Sequence, residues 1–555
     1  MRKSLAVLIC AVTVACAVPA IAELQNVQVG GSIRIRGSYY TSSAILEPDS
    51  VRNPLIEGVP PLWSMPPYAN NNQGLRWLAS PGRAAVASLA QLVGRTNAVS
   101  GFSWSDDGHA NKYVEQRTRL NVKADFTDAV SAFIELDSYD TWGEDFRSNY
   151  LTGIDGAAAT GDDVEVYQAY IEANDMFDYP LRLRVGRQEL MLGSGWLVGT
   201  NDASSGFTGL SFDAVTLTYA TDMLSVTGLA AKLAENGPVE EDGDVDMYGV
   251  YASYLGVEDM TLDAYWLFVR DAVELRDTPY DLVGNWVEEV LGVDDYDATT
   301  LHTVGLRGAG MYGAFDYEAE VAYQFGDAGV VGVLNRTLAV SPYGDDDAEW
   351  DAWACNIEVG YTFDIEYAPR VYLGFAYFDG QDDRDITFWE WLAAQACPFW
   401  KGPDPSVSFN RLFSNWEYSE FLDATDLSNA WIGRGGVSVM PMEDVTVLLT
   451  AAYYQAVDCY DVTWPNFFLL GNRFTPLAPY SFITEENDDD LGWELGLYVT
   501  YDYSEDLTFE LGWAHLFVGD GLEDGNFNSW NGLAFNGGID NDDADYVYLE
   551  TKLCF

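Results

Sequence analysis

Eight basic residues fall on or beside the polar parity of alternating segments: Arg34 and Arg36, then Arg117, Arg119 and Lys123, then Arg182, Arg184 and Arg187. Acids recur in equivalent positions at Glu135, Asp137, Glu172, Glu318, Glu320, Glu358, Glu494, Asp502, Glu510 and Glu550. If that parity lines a water-filled passage, its charges set the field that a passing solute meets. Chemistry of this kind selects and conducts; it makes no bonds. The residues that bond-making needs are not arranged for it. His109, His302 and His515 are isolated, no Ser/His/acid grouping is recognisable, and no paired His or Cys spacing suits zinc. The expectation is therefore a protein that is not an enzyme and carries no cofactor. Gly193-Ser194-Gly195 with Gly199 lacks the helix pattern and lysine of a phosphate loop and reads as a mobile loop. The acidic tracts 240–244, 345–347, 485–490 and 540–543 offer oxygen ligands of the kind calcium takes, without a defined ligand spacing. A solvated acidic surface is the simpler reading, with loop Ca2+ as the alternative.

The 555 residues include 87 acidic and 28 basic side chains, for a formal charge of −59, yet 48% are hydrophobic and 14% aromatic. A disordered acidic chain would lack that apolar content. Nucleic acid is excluded as a partner, because binding it needs a basic footprint. Arg2 and Lys3 precede an apolar stretch from Leu5 to Val18 that closes on Ala20-Ile21-Ala22, so 1–22 reads as a secretory signal peptide and 23–555 as one exported domain. Beyond Ala22 there is no uncharged apolar run of about 18 residues, which removes a bundle of membrane helices. A soluble secreted protein and an outer-membrane barrel remain.

The elements that must position the charges are strands. In 114–125 every charge falls on one face while Val114, Leu120, Val122 and Ala124 share the other, and Tyr317, Ala319, Val321 and Tyr323 oppose Glu318, Glu320 and Gln324 in the same way. About eighteen such segments can be read, joined alternately by short turns and by long polar loops near 41–111, 139–163, 193–208, 236–244, 271–299, 327–347, 380–428, 458–490 and 519–543. That asymmetry predicts an all-β fold: a closed antiparallel transmembrane β-barrel with short periplasmic turns and long acidic extracellular loops, embedded in outer-membrane lipid. The first loop, 41–111, either caps the mouth or folds inward. The last strand carries Val547, Leu549, Leu553 and Phe555 on one parity and resembles the signal read by barrel-assembly machinery. Tyr39, Tyr40, Trp266, Trp350, Trp431 and Trp513 are expected in interfacial girdles. Cys397 and Cys459 lie in neighbouring long loops of an oxidising compartment, where a disulfide is expected.

The run Leu183-Arg184-Val185-Gly186-Arg187-Gln188-Glu189-Leu190, then Gly193, Leu197-Val198-Gly199 and Phe212-Asp213-Ala214-Val215, resembles the signature of the alginate-export porin family, and Gln116-Arg117-Thr118-Arg119-Leu120 is similar to its early strands. Trp196 and Thr216 stand where that pattern has arginines, and the turn at 504–506 is short where the alginate exporter carries a long plug. The resemblance implies an eighteen-stranded outer-membrane channel for hydrophilic or saccharide solutes, moving by passive diffusion. The alternative is a plugged structural or adhesive barrel whose acidic loops do the work. In the lumen, the eight basic residues are expected to form an arc on the first, second and fifth strands, with a bulge at Gly186 turning Arg187 inward. Glu135, Asp137 and Glu172 are interspersed in that arc, and the other acids are expected on the opposite wall. Pairing of these charges between adjacent strands is the competing expectation.

Overall fold

The computed structural model describes residues 24–41, 110–127, 129–142, 164–200, 209–235, 244–272, 298–327, 349–380, 406–422, 427–458, 489–523 and 543–555. The strands, in order, are β1 (Asn26–Tyr40), β2 (Asn111–Thr127), β3 (Val130–Thr141), β4 (Glu165–Ala173), β5 (Leu181–Gln188), β6 (Phe212–Ala220), β7 (Leu224–Ala234) and β8 (Val245–Val257). There follow β9 (Met260–Asp271), β10 (Thr299–Tyr312), β11 (Phe315–Asp327), β12 (Glu349–Thr362), β13 (Arg370–Phe378) and the two-residue β14 (Ser406–Val407). The last are β15 (Ala430–Met442), β16 (Val445–Ala456), β17 (Asp490–Asp502), β18 (Leu507–Val518) and β19 (Ala544–Cys554). All except β14 pair antiparallel with their neighbours, and β1 pairs with both β2 and β19, closing an 18-stranded barrel.

Period-two patterning explains why these segments become wall. On β6, Phe212, Ala214, Thr216 and Thr218 are buried inside while Val215, Leu217 and Tyr219 are exposed outside. On β11, Glu320, Ala322 and Gln324 point in, and Val321, Tyr323 and Phe325 point out. One parity of the strands gives large apolar residues to an outer surface, which water would penalise and hydrocarbon accepts. No described helix is long and apolar enough to cross a membrane.

Closure depends on a close approach. Gly31 donates its N–H to the Phe555 carbonyl at 2.8 Å and accepts the Phe555 N–H at 3.0 Å. A Cβ at Gly31 would lie 2.8 Å from the Phe555 ring and 2.4 Å from the Arg119 carbonyl, so a glycine leaves the slot that the ring fills.

The girdle expectation divides. Tyr39, Trp266 and Trp513 are exposed on the outer face. Tyr40 instead stacks on Tyr546 inside the barrel at 4.0 Å, and Trp350 is buried on the inner parity of β12. The expected signal peptide, residues 42–109 of the first loop, Cys397, Cys459 and most of the acidic tracts lie outside the described residues.

Two connections expected as outer loops turn inward. Residues 189–200 follow β5 and residues 406–422 precede β15, and they meet inside the wall. Phe413 donates its N–H to Leu197 O (2.8 Å), Gly199 donates to Phe413 O (2.9 Å) and Asn415 donates to Gly195 O (2.8 Å), forming an inner ladder. Trp196, fully buried, donates its indole N–H to the Tyr418 hydroxyl at 2.9 Å. Leu190, Leu197 and Val198 join Phe409, Tyr418, Phe421 and Leu422 in one apolar cluster with Phe378 and Tyr454 of the wall. The glycine-bearing stretch around Gly193 is thus held in packed structure, which corrects its reading as a mobile loop. A period-two search cannot find such segments; their signal was large apolar residues inside connections otherwise read as polar.

Candidate functional site

Guanidinium–carboxylate pairs form an interrupted circuit on the inner face of the wall, along β19 to β5 and along β9 to β15. Arg34 and Arg36 both bind Glu550, each through Nε at 2.8 Å. Arg117 binds Asp137 at 2.6 Å with both side chains 3% exposed, and Arg119 reaches Glu135 at 3.6 Å and Glu189 at 3.7 Å. Arg184 donates from Nη2 to Glu172 at 2.7 Å and lies over the Tyr170 ring at 4.3 Å. Lys123 sits 3.7 Å from Asp125 at the short-turn end.

These contacts replace the expected arc facing an acidic wall. Closure places β19 beside β1, so Glu550 sits between Arg34 and Arg36 and not across the lumen from them. The acids that balance β2 come from β3. Basic residues outside the expected set continue the circuit: Arg307 contacts Asp263, Glu318 and Glu320, Arg370 pairs with Asp316 and Glu358, and Arg434 shares Glu358. Glu510 accepts a bond from Tyr548, and Asp502 accepts one from Thr508 near the short-turn end. Dispersed Arg–acid pairs tie neighbouring strands together by charge-assisted hydrogen bonds along the inner face.

Arg187 departs from expectation in orientation. Gly186 has φ +129°, and a Cβ there would lie 2.2 Å from the Ala169 carbonyl, yet β5 holds register with β4 and β6 through this residue, with no bulge. Arg187 therefore stays on the outward parity, paired with Asp213 through Nε and Nη2, both at 2.9 Å.

The inner segments are anchored to this wall. Gln324 of β11 donates to Asn410 O and accepts the Asn410 N–H, both at 2.7 Å. Glu494 of β17 accepts the Ser419 hydroxyl at 2.6 Å and the Glu420 N–H at 3.1 Å. Glu420 in turn accepts from Tyr498 at 3.0 Å, while its other oxygen is shielded with no hydrogen-bond partner. Burial, with added repulsion from Glu494 and Glu417, pushes the Glu420 carboxyl up to about 8. Arg434 lies over the rings of Trp416 and Tyr418 at 4.9 and 5.0 Å, and Arg411 over Phe378 and Tyr418. Among the described residues, no group of His, Cys, Asp or Glu forms a metal-binding cluster.

A closed barrel with an apolar exterior, an ion-paired interior and a constriction formed by inturned connections defines a porin-like outer-membrane channel protein. The alginate export family pattern matches residues 104–533, so the chain belongs to the alginate export family. No curated protein sequence matches the chain. Similar solved structures include Pseudomonas aeruginosa OccK3 (OpdO), at 10% identity and TM-score 0.45, covering 95% of this chain and 96% of the other. Pseudomonas aeruginosa OccD3 (OpdP) is similar at 9% identity and TM-score 0.43, covering 96% of this chain and 92% of the other.

Proposed function

We propose that the barrel is a passive channel for small hydrophilic solutes, saccharides and ions included, throttled by the inner ladder of 189–200 and 406–422. The observation that carries this reading is the run of charged pairs on the inner face, from Glu550 to Arg184 and again from Asp263 to Arg434, which a hydrated passage accommodates at lower desolvation cost than a dry core. Paired charges favour neutral polar solutes and admit ions of both signs. The outward apolar face meets outer-membrane lipid, and β19 ending in Phe555 is the segment offered to assembly machinery. The solvated reading of the acidic tracts goes with this function.

A second reading is favoured by the apolar cluster around Trp196, which fills space a channel would leave open: a plugged structural or adhesive barrel. Planar-bilayer recording separates the two. Discrete open-channel steps, enlarged in a Trp196→Ala variant, support the throttled channel. Silence in the parent and step-free leak in the variant support the plug. Liposome swelling with neutral and acidic sugars then ranks the solutes.

A further inference from the structure

Beneath the inturned segment 189–200, against the wall from β3 to β7, is a cleft of about 420 Å³, within the roughly 300–1,000 Å³ of small-molecule sites. Its charges do not cancel. Arg184 is taken up by Glu172, and Glu189 by Arg119 at 3.7 Å and by the Tyr167 hydroxyl at 2.9 Å. Arg182, one residue into β5 and exposed to the cleft, makes no ion pair with any described residue and is attracted only by the Glu172 carboxylate that Arg184 already binds. Beside it in register stand Thr218 and, next across, Thr227, whose hydroxyls bond each other at 2.9 Å and keep lone pairs to spare. The apolar part of the lining is Leu190 and Leu192 from the inturned segment and Leu229 from β7, with Phe133 stacked on Tyr170 at 5.2 Å. Two guanidiniums that share one carboxylate, flanked by hydroxyls and lined by leucines and aromatic rings, match a molecule with one negative charge at one end and an apolar body.

The geometry points to a binding subsite here for a small organic monocarboxylate with an apolar body, reached from the short-turn end of the barrel. It rests on the channel reading only for its role, as a station on the solute's path; the binding itself does not require conduction. Arg182 takes the carboxylate by charge-assisted hydrogen bonds, the two threonines orient it, and the apolar surface rejects bodies rich in hydroxyls.

The test uses the full chain in detergent micelles, with phenylacetate as probe and saturation-transfer NMR as readout. Phenylacetamide, which lacks the charge, and glucuronate, which lacks the apolar body, are comparators. Phenylacetate is expected to bind in preference to both, and Arg182→Gln is expected to weaken it roughly tenfold, the effect of one charge-assisted bond. Arg187→Gln, on the outer face, is expected to leave it unchanged. Equal binding of phenylacetamide, tighter binding of glucuronate, undiminished affinity in Arg182→Gln or no binding by the parent overturns the subsite. Phenylacetate binding with a silent bilayer overturns the channel and leaves the subsite standing; conduction without binding does the reverse.

Discussion

At the scale of single residues, the interior is governed by who neutralises whom. Arg117 and Asp137 are buried together, and replacing Arg117 leaves Asp137 with the longer 3.9 Å contact to Arg119 in place of the 2.6 Å pair to offset its desolvation. Arg117→Gln is therefore expected to destabilise the barrel by about 3 kcal/mol, whereas joining it with Asp137→Leu recovers most of the loss. Thermal unfolding, read as the shift in migration between folded and heated samples, measures both. Equal stability of the single and double variants would show that the pair is not the source. The identity of these residues as inward-facing was legible in the alternation of 114–125, because parity alone decides the face. Their partners were not. Glu550 is 514 positions from Arg36, and only closure makes them neighbours.

At the scale of elements, the strands were readable and the constriction was not, for one physical reason. A strand must repeat its apolar choice every second residue to satisfy two solvents at once, which leaves a periodic trace. The segments 189–200 and 406–422 meet a single irregular environment, so Trp196, Phe409 and Leu422 follow no period. Gly186 gave a misleading signal in the same region: its positive φ is met within an unbroken ladder, and Arg187 stays outside. The hold on 406–422 has a pH dependence whose direction follows from Glu420. Its folded carboxyl keeps a proton that the unfolded chain releases in the ordinary carboxylate range, so the segment's hold weakens as pH rises from that range through about 8. Hydrogen exchange at the amides of 406–422 is expected to accelerate between about pH 5 and pH 8, beyond the intrinsic rate increase, and Glu420→Gln to remove the excess. A parent and variant with the same profile would place the weak point elsewhere.

At the scale of the whole molecule, the barrel is a ring whose seam lies between β1 and β19. Gly31 is the position at which the seam has no room to spare. Gly31→Val forces its side chain into the Phe555 ring and the Arg119 carbonyl, and is expected to reduce the fraction of chain reaching the heat-modifiable folded form, with the folded remainder unfolding several degrees lower. Gly37→Val, where only the flexible end of Val114 approaches, is expected to be much milder. If both behave alike, the slot is not what limits closure.

The bond between Trp196 and Tyr418 joins residues 222 positions apart, whereas most wall pairings join strands adjacent in the chain. Contacts between near segments form early and those between remote segments form late. The wall from β2 to β13 is thus free to assemble before the second half of the inner ladder arrives. The seam between β1 and β19 joins partners still farther apart, 514 positions for Arg36 and Glu550, so by the same rule the calibre is set before the ring is shut: 406–422 is drawn in against 189–200 while the wall is still open along one edge.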